Sequence, residues 1–273
     1  MSGPPPTYAP TDAPIGVFDS GFGGLTVARA LVDQLPGEDV IYLGDNARAP
    51  YGDQPIGVVR EYALECLDRL LAEGVKMLVI ACNSASAAML RDARERYPVP
   101  VVEVILPAAR RAATITRTGR VGVICTEATA MSRAYDDAFA VAADVTLTTS
   151  ACPKFVQLVE AGITAGPELV RTATTYLEPI QQARVDTLIL GCTHYPLLAG
   201  VLGYLLGPSV SLVSSADECA REAYATLARG GLLHDQPRQG RHRFLTTGDP
   251  VAFSGIGRRL LGDWVSEDVE QFA

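Results

Sequence analysis

Two stretches of this chain read as strands buried along their whole length and closed by a cysteine, Val75–Cys82 (VKMLVIAC) and Val185–Cys192 (VDTLILGC), 110 positions apart. A strand this apolar needs cover on both faces, the condition of a parallel sheet with helices on either side. Around them the pattern alternates. Strands are expected at Pro14–Asp19, Asp39–Leu43, Val75–Ala81, Val99–Leu106 (closing at Pro107), Arg120–Cys125 and Val185–Gly191. Helices are expected at Leu25–Leu35, Val58–Glu73, Ser84–Tyr97, Ser132–Phe139 and Pro167–Gln182. In Val58–Glu73 the apolar positions 58, 59, 62, 63, 66, 67, 70 and 71 fall on one helical face. Strands separated by helices of this length form βαβ units. A second register supports a repeat: at an offset of 106, Gly16-Val17-Phe18 falls on Gly122-Val123-Ile124, and Ser20 on Thr126. The expected fold is α/β, with two similar parallel-sheet domains.

Composition narrows the function classes. The 273 residues are 48% hydrophobic and 20% charged, which excludes a disordered or fibrous chain. No apolar run approaches the roughly 18 residues of a membrane span. The N-terminal MSGPPPTYAPTDAP carries five prolines without a basic cluster or apolar core, so it reads as a disordered tail over 1–13, not a signal peptide. A cytoplasmic protein without membrane attachment is expected. The net charge of −8 argues against nucleic-acid binding, which needs a basic surface. Arg110–Arg111 and Arg238–Arg243 are either local basic patches or solvated surface. The six cysteines (66, 82, 125, 152, 192, 219) form no CxxC pair, and the three histidines (194, 234, 242) no HxxxH pattern. Reduced thiols and no metal site are expected.

Ligands of open parallel sheets sit at the carboxyl ends of strands, beside helix N-termini. Those ends carry Asp19-Ser20, Pro50-Tyr51-Gly52, Cys82-Asn83-Ser84, Thr126 and Cys192-Thr193-His194. The turn Ser20-Gly21-Phe22-Gly23-Gly24 either presents amides to a small anion or packs a helix tightly. It is neither GxGxxG nor a P-loop, so nucleotides are disfavoured. Cys82 precedes a helix whose N-terminus would favour its thiolate. Cys192 occupies the matching place in the second half. Two thiols at equivalent ends of a repeated unit suit two-base chemistry, one face of a substrate losing a proton while the other gains one. No lysine stands at these ends, so no pyridoxal-phosphate site is expected, and preorganised donors must stabilise the carbanion. Asp19 either tunes Cys82 or caps the following helix. His194 either exchanges a proton with Cys192 or braces a turn.

Six segments together resemble one family: GVFDSGFGGLTV (16–27), YLGDNARAPYG (42–52), LVIACNSASA (78–87), VGVICTEAT (121–129), CPKFVQLVEAG (152–162) and LILGCTHYPLL (188–198). Their order and content are similar to the cofactor-independent glutamate racemases of the aspartate/glutamate racemase superfamily. The resemblance implies interconversion of L- and D-glutamate for peptidoglycan synthesis, with Cys82 taking the α-proton of D-glutamate and Cys192 that of L-glutamate. It implies that Asp19 assists the first thiol, and Glu160 and His194 the second. Asp19, Ser20, Tyr51, Gly52, Asn83, Ser84, Thr126, Thr193 and His194 would hold the zwitterion. It further implies a pseudo-twofold arrangement with the active site in the cleft, one domain of 14–106 plus 215–273 and another of 107–214, and a homodimer without cofactor. Cys125 departs from the family's usual Gly and would place a third thiol near the cleft. Aspartate racemases are the near alternative, but they tend to carry Glu after the second Cys-Thr, where this chain has His194. A protein that keeps the cleft to bind DNA gyrase without turnover is the alternative of another class.

Overall fold

The computed structural model describes residues 11–235, 238–265 and 268–272. Strands and helices alternate through β1 (Ile15–Asp19), α1 (Leu25–Gln34), β2 (Val40–Gly44), α2 (Ile56–Ala72), β3 (Met77–Ile80), α3 (Asn83–Arg96) and β4 (Val101–Glu103). After α4 (Ile105–Ile115) come β5 (Arg120–Cys125), α5 (Glu127–Ser132), α6 (Ala134–Phe139), β6 (Thr146–Ala151), α7 (Lys154–Glu160) and α8 (Pro167–Gln182). Next are β7 (Thr187–Gly191), α9 (Ala199–Leu206), β8 (Ser211–Ser214), α10 (Ser215–Gly230), β9 (His242–Thr246), α11 (Pro250–Leu261) and β10 (Val269–Gln271).

Two all-parallel sheets result, ordered β10-β9-β2-β1-β3-β4 and β6-β5-β7-β8. Without β9 and β10 the first sheet has the same order as the second, with β1 matching β5 and β3 matching β7. The molecule is thus two parallel-sheet α/β domains built on one plan, called lobes below. In each, the chain leaves the first strand toward one edge and later crosses to the other, so a crevice opens at the carboxyl ends of β1 and β3, and of β5 and β7.

The core explains why the central strands are apolar throughout. β1, β3 and β7 are buried at every position. One cluster joins the facing sides of both sheets, with Val17 and Val79 from the first and Val123 and Ile189 from the second, packed around α1, α4 and α10. The buried face of α10 is mostly small (Ser215, Ala216, Cys219, Ala220, Ala223), which lets it lie close to its neighbours. Phe18 and Ile80 face α2 and α3 on the outer side of the first sheet, and Ile124 and Leu188 face α7, α8 and α9 on that of the second. All six cysteines are free.

Several expectations need correction. The run VVEVIL reads as one strand, yet β4 ends at Glu103 and α4 starts at Ile105. The Glu103 carboxylate accepts the amides of Ile105 and Leu106, and Pro107 falls in the first turn, where a missing N–H costs nothing. The single helix expected over Ser132–Phe139 is two short ones, broken at Arg133, whose φ is 57°. Of the expected disordered tail, residues 1–10 lie outside the described residues. Residues 11–13 instead form a turn, held by Lys76 donating to the Thr11 carbonyl. The two arginine clusters are paired surface: Arg110 lies beside Glu222, Arg111 beside Glu218, Arg238 and Arg241 on Asp39, and Arg243 between Glu73 and Glu270. Among the described residues no helix is long and apolar enough to cross a membrane.

Candidate active site

A cavity of about 380 Å³ opens where the strand ends of the two sheets meet. The first lobe contributes Ser20, Tyr51, Gly52, Cys82, Asn83 and Ser84; the second contributes Thr126, Glu160, Cys192, Thr193 and His194. Every site residue expected from the sequence lies on this wall except Asp19, which is buried beneath it. Cys125 is also off the wall. It faces the cluster between the sheets, so the expected third thiol near the cleft is a packing residue.

One wall was named in the sequence only through Glu160. Pro153, just before α7, and Val156 and Gln157 on it line the cavity with Glu160, at the spacing that puts residues on one helical face. That spacing was readable in CPKFVQLVEAG. Phe22, from the glycine turn, lines it as well, and so do Ala49 and Asp53, which had not been singled out.

Each cysteine sits at a strand-to-helix junction. Cys82 immediately precedes α3 and lies 3.5 Å from Ser20 Oγ. Cys192 follows β7 and lies 3.7 Å from His194 Nδ1. His194 Nε2 is in turn 3.0 Å from Glu160 Oε1, so a sulfur, an imidazole and a half-exposed carboxylate form one chain at the second face.

The helix N-terminus does not decide the charge of Cys82. Burial pushes its thiol up to about 11, the nearby Asp19 adds to that, and hydrogen bonds from Ser20 and Ala85 only partly oppose it. Burial likewise pushes Cys192 well above the ordinary thiol value. The expected stabilised thiolate is therefore corrected: desolvation outweighs the helix, and both sulfurs are neutral near pH 7.

Asp19 combines its two readings, raising the Cys82 thiol while its carboxylate also caps the turn before α1. Its Oδ2 accepts the amides of Gly21 (3.0 Å) and Gly24 (2.9 Å), holding the glycine turn just ahead of α1. Burial still raises its pKa, against those amides and His194. Its Oδ1 has no protein partner.

Neutral polar groups sit at the remaining strand ends, beside apolar side chains and the Asp53 carboxylate. Ser84, Thr126 and Thr129 share hydroxyl contacts of 3.0 to 3.4 Å across the lobes. Asn83 receives the Tyr135 hydroxyl at 2.8 Å, while its buried Nδ2 has no partner. Tyr51 donates to Asp45. Among the described residues no lysine or arginine lines the cavity, and no group of three His, Cys, Asp or Glu is placed to hold a metal. Amides and hydroxyls are left to bind a carboxylate, with two sulfurs for proton transfer.

A family model described as Asp/Glu/hydantoin racemase matches residues 15–223, and the chain belongs to that family: it is an amino-acid racemase. A glutamate racemase of Parafrankia sp. is 64% identical over 251 residues, 92% of this chain and 91% of the relative. The crystal structure of a glutamate racemase isoform from Bacillus anthracis superposes with a TM-score of 0.90 at 38% identity, covering 96% of this chain and 98% of the other. That of the Francisella tularensis glutamate racemase, in complex with D-glutamate, gives 0.89 at 31% identity, with coverage of 96% and 98%. Within the family the chain falls among the glutamate racemases.

Proposed function

We propose that the protein interconverts L- and D-glutamate by two-base proton transfer at Cα, with Cys192 removing the α-proton of L-glutamate and Cys82 that of D-glutamate. One observation carries the reading: the two cysteines come from equivalent strand ends of a repeated unit and line a single cavity. Glutamate as substrate is supported by the relatives' activity and by the D-glutamate bound to the Francisella protein. The Asn83 amide with no protein partner and the hydroxyls of Ser20, Ser84, Thr126 and Thr193 are donors suited to the two carboxylates, and Tyr51 and Gly52 border the same space.

The neutral thiols shape the mechanism. A base is needed, yet desolvation keeps both sulfurs protonated in the empty site. The substrate's α-ammonium brings a positive charge into this buried space, which favours a thiolate beside it. The thiolate on one side takes the α-proton and becomes a thiol, the donors around the α-carboxylate stabilise the resulting carbanion, and the opposite thiol then delivers its proton to Cα and is left as the thiolate. His194, linked to Glu160, returns Cys192 to the required protonation state, while Asp19 acts through the turn it holds beside Ser20. In the same reading the domains comprise 14–106 with 215–273, and 107–214. The D-glutamate serves peptidoglycan synthesis in the cytoplasm, and the protein is a homodimer.

The test is a circular-dichroism time course with L-glutamate and, separately, L-aspartate. Inversion of glutamate and not aspartate is expected. Cys82→Ser and Cys192→Ser should each lower racemisation by about a thousandfold, the middle of the range for losing one acid–base group, with the melting temperature preserved. Unchanged racemisation in either variant would falsify the two-thiol assignment.

A further inference from the structure

Two buried hydroxyls cross between the lobes at matching places, and neither lines the cavity. Thr26 Oγ1, in the first turn of α1, donates to the Thr193 carbonyl at 2.8 Å. The Tyr135 hydroxyl, on α6, donates to Asn83 Oδ1 at 2.8 Å. Thr193 and Asn83 are the residues immediately after Cys192 and Cys82. The hydroxyls also follow corresponding strands: Thr26 is on α1 after β1, and Tyr135 is on α6, the second helix after β5, the counterpart of β1. We propose that Thr26 and Tyr135 are reciprocal positioning residues, each reaching from one lobe to fix the residue behind the other lobe's cysteine, so that Thr26 aims Cys192 and Tyr135 aims Cys82.

Local chemistry makes both bonds more than incidental. Thr26 Oγ1 also lies 2.9 Å from the Gly23 carbonyl, three residues back, the ordinary back-contact of a threonine near a helix start. The single hydroxyl proton is shared with the slightly closer Thr193 carbonyl, 167 positions away in the chain. Because a peptide unit is planar, holding the Thr193 carbonyl fixes the plane leading into His194, whose ring touches the Cys192 sulfur. Asn83 opens α3 directly after Cys82, and Tyr135 on its Oδ1 sets the rotamer of that amide. Burial pushes the Tyr135 phenol well above its ordinary value, so it stays a donor.

This inference rests on the two-thiol reading, and its test separates the two. The equilibrium constant between enantiomers is one, so any variant changes kcat/KM equally in both directions. The aim of a single sulfur is read instead from the isotope effect on kcat/KM with α-deuterated L-glutamate and α-deuterated D-glutamate, each reporting removal by its own cysteine. Thr26→Val should lower kcat/KM by about tenfold, roughly the worth of one buried hydrogen bond, and raise the isotope effect from L-glutamate over that from D-glutamate. Tyr135→Phe should produce the opposite asymmetry, and Thr26→Ser should restore wild-type values. Isotope effects that move alike in both directions, or wild-type kinetics in Thr26→Val and Tyr135→Phe, overturn the inference. Should Thr26→Val fail to fold, the asymmetry in Tyr135→Phe decides alone. If Cys82→Ser or Cys192→Ser keeps full racemisation, the two-thiol reading fails and takes this inference with it; if both lose activity while the isotope effects stay symmetric, only this inference falls.

Discussion

Burial lifts every thiol of the chain above its ordinary value: Cys82 to about 11, Cys66, Cys125 and Cys152 to about 12, and Cys192 and Cys219 well above the ordinary value. Four of these are packing residues, and for them a neutral thiol is all that is required. For Cys82 and Cys192 the same desolvation becomes a constraint on turnover. An acid whose pKa is raised holds its proton through neutral pH and gives it up only on the alkaline side. The thiolate fraction of the free enzyme therefore grows about tenfold per pH unit below that raised value, and kcat/KM should rise with a slope of about one between pH 7 and 9. Initial rates of glutamate inversion across that range check this. A flat profile would mean that one sulfur is already ionised and that desolvation has been overcome without substrate.

Among the elements, β7 depends on a carboxylate just before it. Asp186 accepts the Thr116 hydroxyl and the amides of Arg117 and Thr118, all at 2.7 Å, and the Thr187 hydroxyl at 2.9 Å. Burial alone would raise its pKa, but these four donors overcome it and hold the carboxyl well below the ordinary 3.8. A depressed pKa stabilises the fold fully above the unfolded value, and the contribution is lost as pH falls below about 3.8 toward the folded value. Asp186→Ala should therefore cost about 3 kcal/mol at pH 7, the loss of several bonds to one charged acceptor. The gap in melting temperature between wild type and Asp186→Asn should be constant above pH 4 and narrow beneath it; a gap that widens in acid would refute this account. Nothing in the sequence pattern marked Asp186, because its partners come from a loop some 70 positions away. The legible elements were those whose pattern burial dictates. β1, β3, β5 and β7 are covered on both faces, so their sequences are apolar apart from an end residue in three of them. β6 (TLTTSA) and β8 (SLVS) lie at sheet edges, and β10 (VEQ) closes the other sheet, so polar residues break their signal. The cavity was legible at its strand ends for the same reason, whereas α7 and the deep placement of Asp19 depended on packing.

At the scale of the whole molecule, two sheets must bring their strand ends close enough to share one substrate. The tightest approach is at Gly23, where an added Cβ would lie 2.5 Å from His194 Nδ1 and 2.6 Å from His194 Cε1, with Thr193 Oγ1 nearer still. Space, not backbone conformation, demands glycine here, since Gly23 is not among the positive-φ residues. The atoms it would strike belong to the turn after β7, in the other lobe, so no rearrangement inside the first lobe relieves the overlap. In Gly23→Ala either the Thr193 and His194 side chains or the lobes themselves must shift, and a displacement of about an ångström can cost a hundredfold where reacting groups must meet in one geometry. The strain is confined to the joint while the two outer cores stay intact, so folding should suffer much less than catalysis. We expect kcat/KM for glutamate to fall about a hundredfold with a melting temperature lowered by only a few degrees. Full activity in Gly23→Ala would show that the lobes adjust freely and that the distance across the cleft is not set at this contact. A collapse of stability in proportion to activity would place the joint in the folding core instead of the catalytic frame.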